Sequence, residues 1–395
     1  MPLYFFKDPR KNEKQSLLQH LTLVIPLKKL TKTKILKLKY MQREFNRCAA
    51  FFLEQSQKLN TTSPYKLHKL CNAIARQKFK LGSAVIQTAR DRGIAMQRIF
   101  WAKVRKRKHT TRPVINGQLP IQLRQDVYTV FQTPAGAWMI KFLLLPGRKN
   151  HLVLPLIVRP YILKYLKNQS FLPGPAEIYP RGKNWLISMT IKIPYQIKPS
   201  SNMIGVDLGI AHNAVLSTGQ FLSRKYLYNT YKLQVSKTLN EQKSGRRKHM
   251  FISYINHLIS RDIIKIAQNR QANLALEDLT GIKERVLKQD KYFINSLFKW
   301  TYRQLLDFIQ YKATLAGIKT LIINPAHTSL TCSRCGHIDG DNRLTQSIFK
   351  CKSCGSEINA DLNAARVIAK RGSEDNEQNK LQDIIAANQT ITGGN

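Results

Sequence analysis

The chain has 395 residues, 43% of them hydrophobic, enough for two or three domains with true cores. Its 65 Lys and Arg face 23 Asp and Glu, a net +42; residues 1–200 hold 38 basic and seven acidic residues, or +31, and the rest adds +11. So much like charge repels itself unless a polyanion neutralises it, which predicts a nucleic-acid partner without separating DNA from RNA, and no apolar run reaches the roughly 18 residues of a membrane span.

The start, Met-Pro-Leu-Tyr-Phe-Phe-Lys-Asp, has no charged segment followed by an apolar core, so the expected location is the cytoplasm. Residues 1–18 read as a basic segment that orders on binding. His20–Pro26 alternates like a strand. The lysines at 28, 29, 32, 34, 37 and 39 interleave with Leu and Ile and run into a helix through Phe45, Phe52 and Leu53. Ser63-Pro64 has the form of a cap and first-turn pair, opening a helix over 65–80. A further helix over 83–107 ends in the cationic cluster Trp101–His109, read as a phosphate grip.

From Pro113 the pattern changes. Short apolar runs at 127–131, 138–145, 152–158, 176–179 and 185–193 predict a small antiparallel barrel or sandwich. The strand near residue 20 joins it, so residues 1–40 and 113–200 form one domain and 41–112 a helical insertion. Residues 197–202 read as a linker.

A new domain opens at Met203-Ile-Gly-Val-Asp-Leu-Gly-Ile, a buried strand ending in Asp207. Residues 213–219 look like its paired strand and turn. A long helical region follows over 232–272, interrupted at Gly245 and basic at Lys243, Arg246, Arg247 and Lys248. Ala272–Leu279 is a strand carrying Glu277. The next helix packs through Phe298, Trp300, Leu305, Phe308 and Ile309, and Lys319–Asn324 is a third strand. Beyond Lys370 the polar tail, 372–395, is expected to be disordered.

Two Cys-x-x-Cys knuckles, Cys332/Cys335 and Cys351/Cys354, have the spacing of a four-thiolate zinc ribbon over 326–356. Each is followed by glycine, Gly336 and Gly355, which frees the backbone to turn its amides toward sulfur. Four ligands complete a tetrahedron, so this zinc is structural. His327 and His337 read as packing residues and not ligands. Cys48 and Cys71 read as buried apolar residues.

Three carboxylates stand at positions suited to chemistry. Asp207 and Glu277 end strands, and Asp361 opens the helix behind the ribbon. Sheets of the α/β class carry functional groups at strand C-termini, and three convergent acids suit two Mg²⁺ or Mn²⁺ ions about 4 Å apart, the arrangement that cleaves phosphodiesters. Each acid has a plain alternative: a turn residue at Asp207, a solvated strand end at Glu277, a helix cap at Asp361.

Gly-Val-Asp207-Leu-Gly-Ile, Leu-Glu277-Asp-Leu, the Thr-Ser-x-x-Cys-x-x-Cys-Gly knuckle and Asp361-Leu-Asn-Ala-Ala-Arg-Val-Ile resemble TnpB (OrfB), the RNA-guided DNA endonuclease family of insertion sequences, to which compact type V CRISPR effectors are related. The resemblance covers about 200–371; over 1–200 only the layout matches. It implies a multidomain α/β protein. A RuvC-like, RNase H-fold nuclease domain (201–325 and 357–371) would be split by the zinc ribbon and preceded by a β-barrel wedge domain with a helical recognition lobe. Asp207, Glu277 and Asp361 take the catalytic positions. A guide RNA and a double-stranded DNA target with a short adjacent motif are the implied partners, and a monomer is the expectation. Family members often carry an acidic residue or His where this chain has Asn359. A CRISPR effector of the same fold, a non-cleaving RNA-guided repressor and a strand-transfer transposase are the alternative readings.

Overall fold

The computed structural model describes residues 3–4, 17–143, 145, 150–167, 172–209, 212–223, 241–278 and 297–392, excepting the side chains of 3–4, 172, 241–249, 297–301 and 379–392. The expected N-terminal segment before Leu17, apart from Leu3–Tyr4, lies outside these residues, as do the start of the long helix before Glu241 and the side chains of Phe298 and Trp300. The chain divides into two compact units, Met1–Pro194 and Tyr195–Asn395.

In the first unit, β1 (Leu3–Tyr4) and β2 (Leu17–Pro26) precede helices α1 (Lys32–Lys58), α2 (Pro64–Lys78) and α3 (Ser83–Arg105). Then come β3 (Ile121–Leu123), β4 (Tyr128–Gln132), β5 (Trp138–Leu143), β6 (His151–Pro155), α4 (Pro160–Leu166), β7 (Leu172–Arg181) and β8 (Asn184–Tyr195). The strands form two sheets, ordered β1-β4-β5-β6 and β2-β8-β7-β3. An antiparallel bridge between Leu27 and Leu156 joins the ends of β2 and β6, and Leu27 N–H also donates to Trp185 O at 2.9 Å. Burial alternates along β5, where Trp138, Ile140 and Phe142 point inward. The Tyr128 hydroxyl donates to Gly174 O at 2.7 Å, tying β4 to β7 where β7 shifts register.

Thr31 caps α1 through its side chain, and Ser63 caps α2 with Pro64 in the first turn, as the sequence predicts. Helix α1 begins at Lys32, within the lysine-rich stretch. Lys32, Lys37 and Lys39 ride on the exposed face of α1, half-buried Lys34 donates to Val153 O at 3.0 Å, and Leu38, Met41 and Phe45 are buried. At Gly93 a Cβ would sit 2.8 Å from Ala49 O, so glycine lets α3 approach α1. Cys48 and Cys71 are buried and unpaired with each other, as expected.

The second unit holds β9 (Met203–Asp207), β10 (Ala214–Leu216), β11 (Phe221–Leu222), α5 (Glu241–Asn269), β12 (Asn273–Glu277), α6 (Leu297–Leu315), β13 (Thr320–Ile323), β14 (Ile348–Lys350), β15 (Glu357–Asn359) and α7 (Ala360–Thr392). The main sheet is ordered β11-β10-β9-β12-β13; β10 is antiparallel to both neighbours, whereas β9, β12 and β13 are parallel. One face packs Ile204, Val206, Leu274 and Leu276 against Ile259 and Ile263 of α5 and Leu305 and Ile309 of α6. The other packs Ala275 and Ile323 against Ile368 of α7. Gly245 lies within α5 and does not interrupt it.

Two glycines decide how closely α7 lies on the sheet. A Cβ on Gly205 would stand 2.0 Å from Ala365 O and 2.4 Å from Ala369 N; one on Gly372 would stand 2.4 Å from the Ala275 Cβ. Gly372, read from sequence as the start of a disordered tail, is therefore a packing residue, and α7 continues as helix to Thr392. The helix persists because Gly372 is held against β9 and β12, which offsets its poor intrinsic propensity. Among the described residues no helix is long and apolar enough to cross a membrane.

Candidate active site

Strand alternation and register bring the acids together. Val206 lies opposite Leu276 in the parallel pair, so Asp207 and Glu277 follow as neighbours at the strand ends. Gly205 faces α7, and alternation turns Asp207 to that same side. Ala365, Ala369 and Gly372 keep α7 pressed on the sheet, and Asp361 stands in its first turn, one helical turn before Ala365.

The electrostatics report the convergence. Burial, then the charges of Glu277 and Asp361, push the Asp207 carboxyl up to about 7, and the Arg343 guanidinium offsets only part of this. Arg343 stands 3.5 Å from Asp361 Oδ1, with 27% and 15% of the two side chains exposed. Burial and the charges of Asp207 and Asp361 push the Tyr302 phenol up, so it stays protonated beside them. The Thr328 hydroxyl donates to Glu277 Oε1. Tyr302, Thr328 and Arg343 thus border the acids, and sequence reading singled out none of them. For Thr328 the signal was present in the Thr-Ser that precedes the first knuckle; for Tyr302 and Arg343 only tertiary contact identifies them.

Asn359 accepts from the Asp361 and Leu362 amides through Oδ1, at 3.0 and 3.1 Å. It caps α7, so Asp361 is not the cap and its carboxylate is free of that local duty. This side chain orients the turn that presents Asp361.

The four cysteine sulfurs all lie within 4.8 Å of one another, with Cys332 3.7 Å from Cys354 and Cys335 3.6 Å from Cys351. The knuckle glycines take positive φ, +81° at Gly336 and +68° at Gly355, and each amide donates to the carbonyl of its knuckle's first cysteine at 2.9 Å. The Cys354 amide points at Cys351 Sγ, 3.4 Å away, and holds that thiol down at about 6. A preassembled cage of soft thiolates fits zinc. His327 and His337 are outside it. Buried Asn342 joins the two knuckles, donating to Leu330 O at 3.0 Å and accepting from the Lys352 amide at 2.9 Å.

Among the described residues only the cysteines form such a cage. The carboxylates are gathered without being caged, as expected of mutually repelling anions with one neighbouring guanidinium. Their oxygen donors and excess negative charge fit hard divalent cations such as Mg²⁺ or Mn²⁺.

The first unit offers a second candidate surface. A groove of about 530 Å³ is lined by Lys39, Arg43 and Arg47, one turn apart along α1, together with Gln42 and Asn46. The three cations are exposed. Gln42 and Asn46 anchor the groove wall by binding Leu119 O at 2.9 and 3.3 Å, and Asn46 Oδ1 accepts from Leu119 N at 2.9 Å. The cationic cluster after Trp101 is exposed at the end of α3.

A sheet with parallel β9, β12 and β13, acids at its strand ends and a four-cysteine cluster before its last helix make a mixed α/β architecture. Residues 302–368 match the Cas12f1-like, TNB domain family. The chain is 47% identical over 117 residues to the CRISPR-associated endodeoxyribonuclease Cas12f1 of Sulfoacidibacillus thermotolerans, covering 29% of this chain and 26% of that one. It is 34% identical over 139 residues to TnpB-like protein MJ0751 of Methanocaldococcus jannaschii, covering 35% and 49% respectively. The chain thus aligns with about a quarter to a half of these relatives' length. In fold it resembles a Cas12f1-sgRNA-target DNA complex, with TM-score 0.65 and 16% identity over 90% of this chain and 99% of that one. The resemblance to TnpB and its CRISPR relatives read from the motifs is borne out by these matches.

Proposed function

We propose that this chain is an RNA-guided DNA endonuclease with a RuvC-like, RNase H-type catalytic domain. The observation that carries the reading is the approach of Asp207, Glu277 and Asp361 on one side of the β9/β12 strand ends, felt in the raised Asp207 carboxyl. A sheet of three antiparallel and three parallel strands sharing β9 supports the RNase H assignment. The Leu27–Leu156 bridge between sheets supports a barrel in the first unit, with α1–α3 as its inserted recognition lobe.

Asp207, Glu277 and Asp361 would hold two divalent cations. Bound there, such ions supply an activated water and neutralise charge on the phosphate oxygens. The remaining work belongs to the chain. Arg343 balances Asp361 and is a cation poised beside the site for a phosphate group. Tyr302 stays neutral, raised by burial and by the charges of Asp207 and Asp361. The zinc ribbon braces the turn that enters α7. The cations of α1 and of the end of α3 grip backbone phosphates, while a guide RNA supplies sequence specificity by base pairing.

Relatives on both sides, Cas12f1 and a TnpB-like protein, leave the CRISPR effector as the second reading of the same chemistry. A non-cleaving repressor is disfavoured by the presence of all three acids. Such a protein works in the prokaryotic cytoplasm, where its DNA lies. The test is cleavage of a plasmid matching the copurified RNA. Mg²⁺-dependent cutting by the native chain and none by Asp207→Ala supports the proposal; undiminished cutting by Asp207→Ala removes the acid from the site.

A further inference from the structure

Thr328 belongs neither to the zinc cage nor to the acid triad, yet it joins them. The residue is 4% exposed, and its hydroxyl donates to Glu277 Oε1. The same oxygen lies 3.1 Å from Pro325 O, but a hydroxyl has one proton and the charged carboxylate is the stronger acceptor. Threonine is β-branched and restricted at χ1, which limits the directions the hydroxyl can take.

The segment carrying Thr328 is strapped to α7 at both ends. Upstream, Arg371 Nη1 donates to Asn324 O at 3.0 Å and to Ala326 O at 2.7 Å. Downstream, buried Asn363 donates to Thr331 O at 2.7 Å and accepts from Ser333 N at 2.9 Å, one residue beyond the first zinc ligand. Between them His327 takes φ +59°, and its carbonyl accepts from the Leu330 and Thr331 amides. The strap therefore cannot slide along α7 without breaking bonds at both ends, and Asp361 opens that helix.

We infer that Thr328 is a positioning residue that holds the Glu277 carboxylate in the orientation its metal ion requires, with the first zinc knuckle fixing Thr328 in turn. This rests on the reading of Glu277 as a ligand in the nuclease site. By engaging one carboxylate oxygen, the hydroxyl fixes the rotation of the group. Partners of this outer kind typically contribute about 10- to 100-fold to metal affinity or activity.

The experiment titrates Mn²⁺ into the purified zinc-loaded protein, follows free ion by electron paramagnetic resonance, and measures zinc content alongside. Thr328→Val is expected to weaken Mn²⁺ binding about 10-fold with zinc retained, and Thr328→Ser to keep most of the affinity. In a Glu277→Gln background, Thr328→Val should add little further loss. Native-like Mn²⁺ affinity in Thr328→Val overturns the inference, and so does an equal loss in both backgrounds, which marks a purely structural role. If Thr328→Val loses its zinc, the comparison passes to Thr328→Ser against Thr328→Ala, and equal affinities there overturn it. Native Mn²⁺ affinity in Glu277→Gln alone instead sinks the underlying assignment of Glu277.

Discussion

The sheets of the two units are covered differently. In the first unit β5 buries every second residue, Trp138, Ile140 and Phe142. In the second, β12 is buried over Asn273, Leu274, Ala275 and Leu276 in succession, because α5 and α6 cover one face and α7 the other. A strand enclosed on both faces has no place for an unpaired charge along its length. Charge can emerge only where it ends, which is where Asp207 and Glu277 stand. The first unit carries its charge on exposed helical faces, spread over many cations. In the proposed nuclease, function in the second unit is therefore concentrated in a few side chains and in the first is shared among many.

The sharpest tests of that contrast are single substitutions in the second unit. Asp207→Ala should lower cleavage about a thousand-fold while leaving nucleic-acid binding near native, measured by plasmid cutting and filter binding. Cys351→Ser should release zinc and loosen the turn at Asp361, read as loss of metal content and faster amide exchange through the start of α7. Gly205→Ala should destabilise the second unit by about 1–3 kcal/mol in denaturant unfolding, since a Cβ there meets the α7 backbone.

Replacing Lys39, Arg43 and Arg47 by Gln, one at a time, should weaken nucleic-acid binding modestly and uniformly across sequences. Each should reduce the salt dependence of affinity by about one unit of slope. A complete loss from one of these changes would break the picture of shared charge.

The smallest effect concerns pH. The Asp207 carboxyl, at about 7 against an ordinary 3.8, binds its proton more tightly folded than unfolded. Its contribution to stability is fully present below about 3.8 and is lost as pH rises through about 7. In Mg²⁺-free buffer, Asp207→Asn should gain melting temperature relative to the native chain at pH 8, and the gain should disappear near pH 4. Added Mg²⁺ should stabilise the native chain at pH 8.

Much of the second unit was legible before folding. Asp207 and Glu277 were marked by ending apolar runs that only a covered strand could tolerate, and the cysteine spacing declared its cage. The Ser63-Pro64 start of α2 followed from capping chemistry alone. Other features resisted. Gly372 looks like a helix breaker in isolation, and only its contact with Ala275 and Met203 explains why α7 runs through it. The short β3 strand has too few residues to show a period, and its pairing with β7 creates it.

Local chemistry, written in residue type and spacing, determined the zinc cage, the helix caps, the cationic first half and the three acids as candidates. Tertiary structure decided which acids meet, that Asn359 and not Asp361 caps α7, and that Thr328, Tyr302 and Arg343 surround them. The division has a physical cause. Capping and thiolate coordination are settled within a few residues of chain, whereas the meeting of positions 207, 277 and 361 depends on strand register and on two glycines that let a helix lie directly on the sheet.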